Sequence, residues 1–223
     1  MKDSHDYLAL RVAELRVEIQ KRDTAVLAAN TGAVYKQSGR DEPALSAAER
    51  GEFLLSIWDQ HVILSWPEFT GRDAQTGDAL PTMTMAMLSY YFHTSDRAPL
   101  ARTWIAFTEL PDGKFYTAAF QGYTGNELAK AFGNELDAFR AAATSLGGQQ
   151  EALGDAAFAF QALPRVRLLA VGWQGDEDFP PSYRVLFDGN SHHHLSTDAC
   201  AILGSTLTRR LIAQRSHSGI ADS

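Results

Sequence analysis

The sequence contains a single cysteine, Cys200, among its 223 residues. One thiol cannot form a disulfide within the chain, and it cannot supply the several thiolates that a zinc finger or an iron–sulfur cluster needs. The first residues, MKDSHDYLAL, also lack the apolar core of a secretory signal. These two absences predict a cytoplasmic protein.

Long apolar runs and an excess of basic residues are also missing. The longest apolar stretches, within residues 83–92 and 168–171, fall short of the roughly 18 residues that cross a bilayer. The formal net charge is −7, whereas affinity for nucleic acid depends largely on Lys and Arg displacing counterions. We therefore expect neither a membrane protein nor a nucleic-acid-binding protein.

Sequence motifs typical of nucleotide binding and of hydrolases are absent too. The chain has no G-x-x-x-x-G-K-[ST] phosphate loop and no G-x-G-x-x-G opening a helix after a strand. It has neither the G-x-S-x-G elbow of a serine hydrolase nor the H-E-x-x-H of a zincin. The sequence points to no reaction through a known signature.

What is present is the composition of an ordinary globular protein, with 45% apolar, 10% aromatic and 21% charged residues. This length and composition predict one domain over residues 1–223. Within it we expect an N-terminal helix over residues 1–32, a core over 52–213 and a frayed tail over 214–223.

Apolar residues at helical spacing predict one long helix over residues 6–30. Such a helix can pack within its own chain or across a homodimer, so the oligomeric state stays open. A second helix is predicted over residues 82–93, buried on most sides, and residues 35–50 and 68–81 are expected to be loops.

Strand-like runs alternate with these helices. They cover residues 52–58, 61–66, 103–109, 114–120, 156–163, 166–173 and 182–188. The first two runs suit a hairpin, and the next two flank LPDG, a tight-turn signature, so they suit a second hairpin. A helical pattern interrupted at Gly133 precedes the last three runs, and a terminal helix begins at Ser196. The prediction is an α+β fold: a mostly antiparallel sheet built from hairpins, with helices packed on it and a long N-terminal helix.

The stretch WQGDEDFPPSYRVLFDGNSHHHLSTD combines carboxylates, histidines and aromatic rings. In an extended segment Asp176 and Asp178 share a side, and Asp188 returns on the next strand. Such an oxygen set can hold a hard divalent ion. By the same alternation His192 and His194 can converge on a softer metal such as zinc.

Two other readings of the same stretch remain open. One is a solvated, capped turn between two strands, with a helix following it. The other is a cleft for an organic ligand, lined by Trp104, Glu109, Trp173, Asp178 and Tyr183, with aromatic rings as stacking walls.

These features favour a soluble accessory protein that binds a small ligand or cofactor without catalysis. The alternative is a divalent-metal-dependent hydrolase, with Asp176, Asp178 and Asp188 as ligands and a nearby histidine as general base. A divalent metal is the one cofactor that the residues suggest, and a small molecule is the expected partner.

Several motifs also point to a family. Trp104 with ELP at 109–111, and Trp173 with DEDFP at 176–180 and LFD at 186–188, are its best markers. On these motifs the chain resembles, over residues 52–211, a bacterial and archaeal family, domain of unknown function 3786. Some members resemble extensions of iron–sulfur proteins, which implies redox or corrinoid metabolism, but the single cysteine here departs from that pattern. The resemblance implies a single domain and no established reaction.

Overall fold

The computed structural model describes the backbone of residues 2–38 and 50–218, and the side chains of residues 10–38 and 50–215. The chain forms two compact units. The first contains the chain up to Pro99 together with Leu163–Arg165 and His193–Leu195. The second contains Leu100–Ala162, Val166–His192 and the chain from Ser196 onward. That all of it folds as one domain stays a prediction.

The first unit combines three helices with a four-stranded antiparallel sheet of order β1-β2-β3-β4. Its elements are α1 (Lys2–Gln20), α2 (Thr24–Thr31), β1 (Val34–Gln37), β2 (Gly51–Ile57), β3 (Gln60–Trp66), β4 (Gly71–Asp73) and α3 (Thr82–Thr94).

The prediction of one long N-terminal helix is wrong. The chain leaves the helix after Gln20 and starts a new one at Thr24. The reason is the extended backbone of Asp23, whose carboxylate accepts a hydrogen bond from Val26 N and so caps the second helix. Gly32 ends that helix with φ at +72°, a conformation that glycine adopts without strain.

The hairpin predicted between residues 52 and 66 is confirmed as β2 and β3. Buried and half-buried side chains alternate along β2, as expected of a strand with one face on the core. Phe92 of α3, the helix predicted over residues 82–93, packs its ring 5.2 Å from that of Phe53 and 5.1 Å from that of Phe69. This helix therefore covers the buried face of the sheet.

The sequence analysis missed two edge strands of the first sheet. β1 overlaps the start of the loop predicted for residues 35–50, and β4 lies within the loop predicted for residues 68–81. Both are short and carry few apolar residues, so only pairing with the hairpin identifies them as strands. Residues 39–49 of the first predicted loop lie outside the described residues.

The second unit places helices against a five-stranded antiparallel sheet of order β5-β9-β8-β7-β6. Its elements are β5 (Trp104–Ala106), α4 (Thr117–Tyr123), α5 (Gly125–Phe132), α6 (Leu136–Ser145), β6 (Gln149–Gln150), β7 (Ala156–Leu163), β8 (Val166–Trp173), β9 (Ser182–Asp188) and α7 (Thr197–Ser218). The three strands predicted after residue 155, the terminal helix and the break at Gly133 are confirmed. The helix continues to Ser218, so the tail predicted to fray from residue 214 is helical for its first five residues, and residues 219–223 lie outside the description.

The prediction of a β-hairpin around LPDG is wrong. Only Trp104–Ala106 is a strand, and it pairs with β9 instead of with the segment that follows LPDG. The carboxylate of Glu109 accepts a hydrogen bond from Ala106 N at 2.6 Å, and the chain turns into a 3₁₀ helix there. After the turn, Thr117–Tyr123 is helical and buries Phe120 against Phe107. Tertiary packing of these two rings thus overrides the β-hairpin pattern.

The helices of this unit pack on one face of the sheet. Phe139 of α6 contacts the rings of Phe158 and Tyr183, with centroids 5.9 and 5.3 Å away. The opposite face has a smaller apolar cluster, whose members are Ala157, Ala159, Leu169 and Val171, with Trp104, Trp173 and Leu186 packed against it. The α+β class is confirmed, and no helix in the described part of the chain is long and apolar enough to span a membrane.

Candidate functional site

Asp188, a predicted metal ligand, is a structural anchor at the end of β9. Its side chain is buried, and its two carboxylate oxygens accept hydrogen bonds from Ala101 N at 2.9 Å and Arg102 N at 3.0 Å. A third bond comes from Asn190 N at 3.0 Å. The carboxylate therefore fastens the chain before β5 and the turn after β9 to the same strand end.

Asp176 and Asp178 lie in the turn between β8 and β9. One carboxylate oxygen of Asp176 accepts hydrogen bonds from Asp178 N at 2.9 Å and Phe179 N at 2.8 Å. These backbone bonds, that from Phe179 most of all, hold the pKa of Asp176 below its usual range. Asp178 is exposed. This local bonding is what a capped, solvated turn requires.

The three adjacent histidines have different environments. His194, in the first unit, is fully buried, with Nε2 3.0 Å from Ala98 O and Nδ1 3.3 Å from Ser95 Oγ. Because a carbonyl can only accept, Nε2 carries the proton of the neutral ring. His193 places Nδ1 2.6 Å from the Asp96 carboxylate, and His192 is exposed.

The five predicted metal ligands are not brought together as one set. Within the residues that the structure describes, no group of three or more His, Cys, Asp or Glu side chains could hold a metal ion. Asp176 and Asp188 direct their oxygens at backbone N–H groups, and His194 directs both ring nitrogens at Ala98 and Ser95.

The buried His194 makes stability depend on pH. Burial lowers its pKa below the usual value, so the unfolded chain binds the proton more readily than the folded one. The contribution of His194 to stability is therefore full above about pH 6.5 and is lost as the pH falls through the lower pKa of the folded state. We expect the free energy of unfolding, measured with urea between about pH 7.5 and 5.5, to decline more steeply for the wild type than for His194→Gln. Parallel curves for the two proteins would contradict this.

The predicted ligand residues fall on both faces of the second sheet. Trp104 and Trp173 lie on the face opposite the helices, half-buried on the apolar cluster. Tyr183 lies on the helix face, fully buried, and its hydroxyl donates to Gly133 O at 2.9 Å. Burial raises its pKa to about 12. Its ring is thus core, and the carboxylate of Glu109 is engaged with Ala106 N.

Trp104 and Trp173 each have an arginine beside them. The guanidinium of Arg167 lies 5.4 Å from the ring centroid of Trp104, and that of Arg184 lies 5.9 Å from the ring centroid of Trp173. Both distances suit a cation–π contact. The two pairs keep one cation each on the sheet face that the helices leave uncovered.

A cleft opens along one edge of β9, and we call it the β9-edge cleft. Its volume is about 330 Å³. It is lined by Ala106, Phe107, Thr108, Thr117, Phe120, Gln121, Ser182, Tyr183, Arg184, Val185 and Leu186. All of these residues belong to the second unit.

The end of strand pairing leaves room for this cleft. β5 pairs with β9 from Trp104–Asp188 to Ala106–Leu186 and then turns away. Beyond that point no described strand pairs with this edge of β9, and the side-chain amide of Gln121 donates to Tyr183 O at 2.9 Å. The backbone edge is therefore only partly covered.

The back of the β9-edge cleft is aromatic. The rings of Phe107 and Phe120 stack with centroids 4.2 Å apart and planes 9° apart. Both side chains are buried, so the stack is rigid packing that belongs to the core as well as to the cleft. Polar residues make up much of the remaining lining: Thr108, Thr117, Gln121, Ser182 and Arg184.

Sequence reasoning missed most of this cleft. It assigned residues 114–120 to a strand, which would put Thr117 and Phe120 on opposite faces, whereas a helix places them on neighbouring positions. Local composition gave no clear signal, because the run TAAFQGY contains as many strand-favouring residues (Thr, Phe and Tyr) as helix-favouring ones (two Ala and Gln).

Comparisons with known proteins agree with the sequence motifs. No curated protein and no solved structure matches the chain. One family does match, over residues 23–210, which is most of the 223-residue chain. The chain therefore belongs to the family described as Domain of unknown function (DUF3786).

Proposed function

We propose that the protein is a non-catalytic module that binds a small organic ligand in the β9-edge cleft. The cleft itself carries the proposal. Its volume of about 330 Å³ falls within the range of roughly 300–1,000 Å³ that small-molecule sites occupy. An apolar back with a few polar groups at the rim is the usual composition of such sites.

The shape of the cleft depends on packed elements more than on loops. Phe107 and Phe120 hold its back, and Gln121 ties α4 to β9. A site supported by a strand and a helix is largely formed before the ligand arrives, so little conformational entropy is lost on binding. A cytoplasmic setting, inferred from the single cysteine, goes with this proposal.

The same geometry favours binding over the metal-dependent hydrolase. Hydrolysis on a metal needs carboxylates that are free to coordinate it. Asp176 and Asp188 instead accept backbone hydrogen bonds that stabilise a turn and a strand end. Both carboxylates therefore have structural roles.

Titration of the isotopically labelled protein with benzoate and benzamide, followed by NMR of the backbone amides, tests this proposal. Both probes have a flat ring that the stacked phenylalanines can accommodate. We expect saturable shifts at the residues that line the β9-edge cleft. Ala106→Phe adds a ring at the rim and should abolish these shifts, whereas Ala118→Phe adds the same bulk at an exposed position of α4 outside the cleft.

The outcomes are distinct. Shifts confined to the cleft, lost in Ala106→Phe and kept in Ala118→Phe, support the binding function. Shifts scattered over the surface, no shifts at all, or shifts that persist in Ala106→Phe would show that the cleft does not bind small molecules.

A further inference from the structure

We propose that the ligand of the β9-edge cleft carries a hydrogen-bond donor and an acceptor on one edge, as a lactam or a primary carboxamide does, and that the backbone of Val185 binds this edge. This inference rests on the proposed function and adds the chemical class of the ligand. The pairing of β9 has a gap of one residue at the wall of the cleft, and Val185 lies in this gap.

The backbone N–H and C=O of Val185 point away from β8. In an antiparallel strand these two groups of one residue point to the same side, and the side alternates from residue to residue. Gly172, which lies opposite Tyr183, directs its C=O toward β7, where it accepts from Asp155 N at 3.0 Å. Tyr183 therefore points away from β8, and its C=O accepts from the side chain of Gln121. Val185, two residues further on, has the same orientation.

Pairing with β5 stops before it reaches Val185. Gly189 N donates to Thr103 O at 2.9 Å, and this outward orientation recurs at every second residue of β9. A longer β5 would place Phe107 opposite Val185 as its hydrogen-bonded partner. Phe107 O instead accepts from Leu110 N at 3.2 Å in the 3₁₀ turn. Within the described part of the chain no backbone hydrogen bond joins Phe107 to Val185, so both groups of Val185 are left unpaired.

The gap accommodates one bidentate group and no peptide strand. On one side β5 already pairs with β9 as far as Leu186. On the other side Tyr183 O accepts from Gln121, and a Cβ atom at Gly125 would lie 2.1 Å from this oxygen, so α5 occupies the edge. An extended peptide, which pairs with a sheet edge through consecutive residues, would meet both obstacles. A small ligand with one donor and one acceptor avoids them.

The donor and the acceptor of the ligand must lie side by side, because both groups of Val185 face the same way. In a trans amide the N–H and C=O point in opposite directions, whereas a lactam or a primary carboxamide presents both on one side. Val185 is buried at the cleft wall, where unpaired backbone groups are unfavourable, so a ligand that pairs with both gains affinity. The stacked rings of Phe107 and Phe120 offer an apolar surface to the body of the ligand. A flat, uncharged ring with such an amide edge matches the cleft best.

Affinities of isoindolinone, N-methylisoindolinone and N-methylbenzamide, measured by NMR titration of the full chain, test this inference. Isoindolinone is a lactam with its donor and acceptor on one edge. N-methylisoindolinone keeps the flat body without the donor, and N-methylbenzamide keeps both groups but directs them oppositely. We expect isoindolinone to bind about tenfold more tightly than either, since one hydrogen bond to a buried group is worth about that factor. Bound isoindolinone should also shift the amide proton of Val185 downfield.

Val185→Pro removes the N–H without removing a hydrogen bond to β8, because this N–H faces the outer side of the strand. Its affinity for isoindolinone should fall about tenfold, to that of N-methylisoindolinone. Val185→Ala is the matched control, since it shortens the same side chain and keeps the N–H, and it should preserve the preference for isoindolinone. If Val185→Pro does not fold, the response of the Val185 amide proton in the wild type takes its place.

The outcomes separate this inference from the binding function. Preference for isoindolinone, together with a shifted Val185 amide proton, supports a ligand with an amide edge. Equal binding of all three probes in the cleft would overturn this inference while the binding function stands. A preference that leaves the Val185 amide proton unmoved, or that survives in a folded Val185→Pro protein, would also overturn it. Failure of every probe to reach the cleft would overturn the proposed function and this inference with it.

Discussion

Replacement of Asp188 by alanine is expected to lower the free energy of unfolding by about 3 kcal/mol, because it leaves several backbone donors without an acceptor. The carboxylate accepts hydrogen bonds from Ala101 N, Arg102 N and Asn190 N, and the side chain is only 1% exposed. Alanine removes both acceptor oxygens at once. Urea unfolding followed by circular dichroism measures the loss.

Two matched variants separate this anchoring role from a general effect of lost charge. Asp188→Asn keeps one carbonyl oxygen, so it should cost less than Asp188→Ala. Asp178→Ala removes a carboxylate from the exposed turn ten residues earlier, and its effect should stay within about 0.5 kcal/mol. Similar losses for Asp188→Ala and Asp178→Ala would contradict the anchoring role.

Replacement of Gly125 by alanine is expected to destabilise the protein by about 3 kcal/mol through overpacking. A Cβ atom at this position would lie 2.1 Å from Tyr183 O and 2.2 Å from Nε2 of Gln121. The nearer atom is backbone, so the start of α5 must move away from β9 and the hydrogen bond from Gln121 to Tyr183 O must break. The change therefore strains both the fold and the wall of the β9-edge cleft.

Gly122→Ala is the control for Gly125→Ala. Gly122 lies in α4, and a Cβ atom there would meet nothing within 4 Å. Because alanine favours a helix over glycine by about 1 kcal/mol, this variant should be neutral or slightly stabilising. The midpoint temperatures of thermal unfolding of the two variants measure this difference in stability. A stable Gly125→Ala protein would mean that α5 does not approach β9 as closely as the structure has it.

Much of the fold could be predicted from the chain alone. The β2–β3 hairpin, α3 and the strands β7, β8 and β9 follow from local apolar patterns, and Gly133 marks the break between α5 and α6. These elements are long enough to be identified, β2 by alternation of its buried residues and β7 and β8 by nearly continuous apolar runs. The family could be recognised as well, from the motifs around Trp104 and Trp173, and the family match over residues 23–210 confirms it.

Competing local signals misled the prediction in two places. The apolar stripe continues past Gln20, but the capping carboxylate of Asp23 divides the helix. The LPDG turn suggests a hairpin, but Glu109 binds Ala106 N and turns the chain into a 3₁₀ helix. The first case depends on one side-chain hydrogen bond, from Val26 N to Asp23. The second depends on the bond from Ala106 N to Glu109 and on the packing of Phe120 against Phe107.

The candidate site was the least predictable part. Three of the predicted metal ligands have structural roles instead: Asp188 holds a strand end, Asp176 a turn and His194 a buried polar contact. Of the predicted ligand residues, Tyr183 lines the β9-edge cleft, whereas Trp104 and Trp173 pack on the apolar cluster of the opposite sheet face.

Local pattern was sufficient for the class of fold, the principal strands and the family, since these depend on which residues are apolar and at what spacing. The β9-edge cleft depended on contacts that the local pattern does not specify: Phe107 on Phe120 and Gln121 on Tyr183. Whether a carboxylate binds a ligand or a backbone N–H, and whether an arginine keeps its charge free, depends on what the fold places within about 3–6 Å of it. Spacing along the chain does not specify those distances, and only tertiary packing does.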